Sequence, residues 1–206
     1  MEYWHAWAIE KSENLLKKLK GEIDFILIGG WAVYYITKTL KSRDIDLIVD
    51  FQGLRQLKYM YNISKNPHLK KYEAKVEGVS IDIYVKYYSQ FPLPISQIEK
   101  TIVIEGFKIP KPEVLLILKQ QAEIARKSSL KGRKDRVDIL ALLVKEAVSI
   151  KDYLRIVKKH GLEEYWRRLI EIVSKSTVEY KHLGITRPGD IRKIKSRIIE
   201  QLKSPV

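Results

Sequence analysis

Two aspartates one residue apart, Asp44 and Asp46, stand in the run Arg43-Asp44-Ile45-Asp46-Leu47-Ile48-Val49. Side chains of a strand alternate faces, so this spacing sends both carboxylates one way and Ile45, Leu47 and Val49 into a core. Carboxylates set side by side repel one another unless a proton or a cation intervenes, and hard oxygen donors so arranged favour Mg²⁺ or Mn²⁺. Asp82 is a third candidate, set in Val79-Ser80-Ile81-Asp82-Ile83-Tyr84-Val85. Strands are depleted in aspartate, and a half-buried charge is costly without a partner. If the two strands are neighbours, three carboxylates converge and a metal compensates them. Upstream, Gly29-Gly30 follows the apolar run Phe25-Ile26-Leu27-Ile28 and precedes a helical pattern. A glycine pair at such a junction lets backbone approach a ligand closely, with helix N-terminal amides aimed at an anion. Carboxylates opposite a phosphate-binding turn make a site for phosphoryl or nucleotidyl transfer. Taken alone, the glycine pair is a common α/β turn.

The elements that must position these residues follow from periodicity. Trp7, Ile9, Leu15, Leu16 and Leu19 recur near helical spacing, predicting an opening amphipathic helix over 5–20 that Gly21 ends. The pattern then predicts a strand over 25–28, a Gly29-Gly30 turn, a helix over 31–40, the strand carrying Asp44 and Asp46, and a helix over 53–63. Asn66-Pro67 breaks the chain. Residues 72–86 alternate on both sides of Glu77-Gly78, a hairpin signal, and 101–109 do so around Glu105-Gly106, which would extend the sheet. From Lys111 onward the periodicity is helical. Pro112 suits a first helical turn, and Val114, Leu115, Leu118, Ala122 and Ala125 follow at helical spacing. A loop is expected over 130–133, then helices over 134–148, from Ser149-Ile150-Lys151-Asp152 to Gly161, to about Lys175, and over 190–202. The expected fold class is α+β, an N-terminal mixed β-sheet flanked by helices followed by a C-terminal helical bundle, divided into 1–110 and 111–206. Trp31, Tyr34 and Tyr35 read as core rather than as a stacking platform, and His68, His160 and His182 share no ligand spacing.

Composition narrows the function classes. The 206-residue chain is 45% hydrophobic, ample for a core, and has no cysteine, which excludes disulfides and thiolate metal sites. Nothing near the N-terminus resembles a signal peptide and no apolar run approaches a membrane span, so a soluble, cytoplasmic protein without membrane contact is expected. The net charge of +14 is uneven: residues 1–110 hold 16 Lys+Arg against 13 Asp+Glu, and residues 111–206 hold 23 against 12. A field of this sign suits a polyanion, either a nucleic acid or a nucleoside triphosphate. A solvated, Lys-rich surface of the kind common in heat-adapted proteins explains it equally well.

Gly29-Gly30, then Asp44-Ile45-Asp46, then Asp82 on a later strand resembles the signature of the DNA polymerase β-type nucleotidyltransferase superfamily over residues 25–86. Pro112-Glu113-Val114-Leu115, Lys119 with Ala122 and Arg126, and Arg133-Lys134-Asp135 with Asp138 resemble the block that follows in small bacterial and archaeal members. These include antibiotic nucleotidyltransferases and the toxin-type enzymes of type IV toxin–antitoxin systems. The resemblance implies the nucleotidyltransferase fold, Lys119 and Asp135 bordering the nucleotide site, Lys119 as a triphosphate ligand, and for the toxin-type branch a cognate antitoxin.

The activity expected is metal-dependent transfer of a nucleoside monophosphate from an NTP to an acceptor hydroxyl, with release of pyrophosphate. Asp44 and Asp46 would hold two Mg²⁺ (or Mn²⁺) ions, and Asp82 would bind the acceptor-side ion and accept the hydroxyl proton. Gly29 and Gly30 amides would hold the β and γ phosphates, with Arg43 and Lys119 neutralising the leaving group. The acceptor is left open: the basic C-terminal half favours RNA, for instance a tRNA 3′ end, over a small molecule, and a protein hydroxyl is a further alternative. The alternative is a non-catalytic nucleotide- or nucleic-acid-binding module on the same fold.

Overall fold

The computed structural model describes residues 2–203, the side chains of 2–5 excepted. Two compact units divide the chain, Met1–Lys111 and Pro112–Val206.

The first unit runs α1 (Glu2–Glu22), β1 (Ile26–Ile28), α2 (Gly29–Thr37), β2 (Ile45–Val49), α3 (Phe51–Met60), β3 (Ile63–Asn66), β4 (Lys71–Val76), β5 (Val79–Val85), α4 (Ile95–Ile98), β6 (Thr101–Ile104) and β7 (Phe107–Pro110). Its sheet has seven strands in the order β3-β4-β5-β2-β1-β7-β6. The sheet is mixed because β2 returns antiparallel to β1, whereas β5 reaches β2 in parallel and β7 reaches β1 in parallel. Both hairpins turn on Glu-Gly pairs with two left-handed residues, φ 50° and 87° at Glu77-Gly78 and 51° and 79° at Glu105-Gly106. That backbone is the tight turn whose twist matches paired strands, and it fixes each hairpin's register. Leu27, Ile45, Leu47, Ile48, Ile81 and Ile83 form the buried centre. Trp31 is fully buried in α2 and its Nε1 donates to Ser12 Oγ at 2.8 Å, tying α2 to α1. Tyr35 is buried beside it.

The second unit holds α5 (Pro112–Arg126), α6 (Leu130–Val144), α7 (Ile150–Lys159), α8 (Glu163–Lys175), α9 (Val178–His182) and α10 (Pro188–Lys203). Glu123 of α5, fully buried, takes Arg136 Nη1 at 3.0 Å and Arg168 Nε at 2.9 Å, so one carboxylate joins α5, α6 and α8. Ser149 caps α7, its Oγ accepting from the Asp152 amide at 3.3 Å. The fold class is α+β as the sequence predicts, a mixed sheet flanked by helices and then helices alone. Among the described residues no helix is long and apolar enough to cross a membrane.

Local differences have local causes. Gly21 lies inside α1 instead of ending it, since no left-handed residue follows there. The predicted Gly29-Gly30 turn is the first turn of α2, which stops at Thr37 when Lys38 turns left-handed at φ 54°. The helix predicted to reach Ile63 ends at Met60, and Ile63–Asn66 pairs with β4 as the edge strand. The loop expected over 130–133 is already helix, because Ser129 Oγ caps the Gly132 amide at 3.0 Å. The short helices α4 and α9 carry too few residues to show a period.

Candidate active site

Strand pairing puts the acidic residues together. Asp46 in β2 lies directly opposite Ile28 in β1 on one side and Asp82 in β5 on the other. In-register residues of parallel neighbours point to one face, and adjacent strands run about 4.8 Å apart. Asp46 and Asp82 are therefore adjacent on one face, both half-buried. Ile45, Leu47, Ile81 and Ile83 occupy the opposite, buried face, which fixes the register: a slip by one residue would send two charges into the core. Asp44, placed by the sequence on the strand, precedes it by one residue, in a bend after the exposed Arg43.

Gly29 sits against Asp46. Gly29 follows Ile28 directly and has φ +70°, a conformation that side chains rarely adopt. A Cβ there would lie 1.9 Å from Asp46 Oδ2 and 2.5 Å from its Cγ, so only a glycine lets the turn and the carboxylate coexist. Gly30 is buried in the first turn of α2. No side chain caps that helix start and no acidic residue stands in its first turn. Its leading amides are the polar, positive end of the helix dipole beside Gly29.

Lys71, which sequence reasoning missed, holds Asp82. Its Nζ lies 2.6 Å from Asp82 Oδ2 and 3.0 Å from Glu73 Oε1, and the residue is buried. Burial opposes the ammonium charge, but hydrogen bonds and charges from Asp82 and Glu73 outweigh it and hold the lysine above its ordinary range. The signal was present: a two-residue turn at Glu77-Gly78 dictates that Glu73 faces Asp82.

The acidic face is the donor set a divalent cation takes, carboxylate oxygens on adjacent strands beside a glycine backbone in which any Cβ would fill the space. The residues fit such an ion at Asp46 and Asp82. Among the described residues no three His, Cys, Asp or Glu side chains are gathered as a ready metal-ligand set. Asp46 and Asp82 are in register on adjacent strands, Asp44 lies one residue before β2, and Lys71 pairs with Asp82. A cleft of about 240 Å³ lies at the other ends of these strands, lined by Phe25, Ile26, Val49, Asp50 and Lys86, and none of the acidic pair lines it. Its Glu99 and Asp24 carboxylates are neutralised by Lys86 at 2.9 Å and Lys108 at 2.7 Å.

In the second unit Lys119 and Asp135 meet in a buried cluster. Lys119 Nζ is 2.7 Å from Asp138 and 3.5 Å from Asp135, and Arg126 forks onto Asp135 at 2.7 and 3.0 Å. Two carboxylates and two cations balance there, as a buried ion cluster requires.

No family model matches the chain and no curated protein matches it. Among solved structures the chain is similar to an antigenic nucleotidyltransferase-like protein from Paracoccidioides brasiliensis, at 20% identity and TM-score 0.43, over 77% of this chain and 91% of that one. It is similar to JHP933 from Helicobacter pylori at 17% identity and TM-score 0.49, over 94% of each. It is also similar to the Megavirus polyadenylate synthase at 19% identity and TM-score 0.48, over 68% of this chain and 32% of that one. Likenesses of this degree say nothing of what this chain binds or does; the geometry of Asp46, Asp82 and Gly29 has to carry the functional argument.

Proposed function

We propose that the chain is a nucleotidyltransferase that moves a nucleoside monophosphate from an NTP to an acceptor hydroxyl. The observation that carries this is the in-register pair Asp46 and Asp82 with Gly29 packed on the Asp46 carboxylate. A divalent cation, Mg²⁺ or Mn²⁺, held by Asp46 and Asp82 with Asp44 would neutralise charge on the triphosphate and acceptor oxygens. The residues of the chain do the rest. The leading amides of α2 at Gly29 and Gly30 bind the β and γ phosphates, and Arg43, exposed ahead of Asp44, neutralises the leaving group. Asp82 Oδ accepts the hydroxyl proton as the acceptor oxygen bonds to the α phosphorus. The bond from that phosphorus to the β-bridging oxygen breaks, and its electron pair leaves with pyrophosphate. Lys119 and Asp135 act within the second unit, and their part in nucleotide binding rests on the sequence resemblance.

The ion pair of Lys71 with Asp82 favours a second reading, a module that binds nucleotide without turnover. Incubating the full chain with each α-labelled NTP, Mg²⁺, and total RNA or protein separates the two. Labelled product and pyrophosphate from the native chain, absent from Asp46→Asn of unchanged melting temperature, support transfer. Equal labelling by both removes the aspartates from the mechanism.

A further inference from the structure

Seven of the first unit's lysines, Lys17, Lys18, Lys38, Lys41, Lys71, Lys86 and Lys108, each pair with a carboxylate. Three of the others gather at one edge of the sheet. Lys58 at the end of α3, Lys65 on β3 and Lys70 in the turn into β4 are exposed, and none of them has a carboxylate partner among the described residues. Instead they converge on two tyrosine rings. Lys58 Nζ sits 5.0 Å over Tyr72, Lys65 Nζ 4.9 Å over Tyr88, and Lys70 Nζ 6.0 Å over Tyr88, with the two rings 5.7 Å apart. Ring contacts hold an ammonium in position without cancelling its charge. Like charges gathered from three elements repel, so the arrangement costs stability unless an anion arrives.

Two further tyrosines stand beside these in sequence and are open to solvent, Tyr59 at 94% exposure and Tyr87 at 80%. The patch lies on the edge of the sheet, since β3 pairs with β4 alone. Tyr72 follows Lys71 on β4, so the patch is one residue from the lysine that holds Asp82, on the other face of the strand.

We infer that this edge binds single-stranded nucleic acid, phosphates on Lys58, Lys65 and Lys70 and bases on the open tyrosine faces. A single strand is the ligand that offers both a phosphate row and unstacked bases to one surface. A duplex hides its bases, and a membrane surface has none. The site is independent of the transfer reaction, and its test uses no NTP, so either idea fails without the other.

The test is fluorescence anisotropy of the full chain with labelled oligouridylate and oligodeoxythymidylate of about 16 nucleotides, repeated over a range of salt. Each phosphate contact contributes about 0.7 to the salt slope of a single strand, so Lys58→Ala/Lys65→Ala/Lys70→Ala lowers the slope by about 2 and the affinity about 100-fold at about 0.1 M salt. The arginine triple variant keeps the slope, which guards against a folding defect. Tyr87→Ala weakens binding about tenfold with the slope unchanged, as loss of a stacking face does. An alanine triple variant that binds like the native chain, or a native chain that binds anionic phospholipid vesicles and neither oligonucleotide, overturns the inference.

Discussion

Replacing Gly29 by alanine tests the arrangement of the candidate site most directly. At φ +70° an L side chain costs about 1–2 kcal/mol of backbone strain. The new methyl would also meet Asp46 Oδ2 at 1.9 Å and Cγ at 2.5 Å, contacts that no folded protein holds. The yielding atoms are the terminal carboxylate of a half-buried aspartate, so a rotation of that side chain relieves part of the steric cost. Stability should fall by about 1–3 kcal/mol, strain plus residual overpacking, while labelled-nucleotide transfer drops to background. Urea unfolding gives the first quantity and the transfer assay the second. Coupling provides a sharper check. In an Asp46→Ala background only the Cβ, at 2.8 Å, remains in the way, so the same glycine substitution should cost less than in the native chain. Equal costs in both backgrounds, or native activity in Gly29→Ala, would refute the argument that glycine is there to make room for the carboxylate.

Other expectations concern single interactions. Glu123→Gln leaves Arg136 and Arg168 facing a neutral group inside the second unit and should cost about 3–5 kcal/mol in urea unfolding. Ser12→Ala leaves the buried Trp31 Nε1 without an acceptor, a loss of about 1–3 kcal/mol by the same measurement. Tyr180 Oη is buried without a hydrogen-bond partner among the described residues, so Tyr180→Phe should be neutral or more stable by about 1 kcal/mol in thermal melts. Burial, with the charges of Glu13 and Glu105, pushes the Tyr35 phenol up to about 12. Because its folded value is raised, its contribution is full below about pH 10 and is lost as pH rises through about 12. Tyr35→Phe should flatten that alkaline decline, and ultraviolet titration should show one fewer late-ionising tyrosine.

Much of the architecture was legible because two periodicities dominate it. Ile45-Asp46-Leu47 and Ile81-Asp82-Ile83 alternate cleanly, residues 25–28 form an apolar run, and Glu77-Gly78 and Glu105-Gly106 announce their turns, so six of the seven strands and the facing of Asp82 followed from sequence. Residues 61–66 did not, because an edge strand paired on one side needs little apolar alternation, and Ser64 and Lys65 of β3 are exposed. Gly132 was read as a loop residue, yet it lies where a Cβ would meet Arg126 O at 2.2 Å, so the helix uses glycine for close backbone approach. Lys71 escaped notice since nothing in its immediate surroundings marks it. Its role arises across strands, from Asp82 one strand away and Glu73 on its own, and such pairings become visible only when hairpin register is written out.

Asp46 and Asp82 become neighbours only through the parallel contact of β2 with β5, after the intervening helix and two strands have been laid down. A chain that ends before β5 therefore holds Asp46 and its glycine turn but not Asp82, and so not the pair. Any ligand that needs both carboxylates can be held only once β5 has docked on β2, so on the proposed function nucleotide binding would report that this pairing is complete.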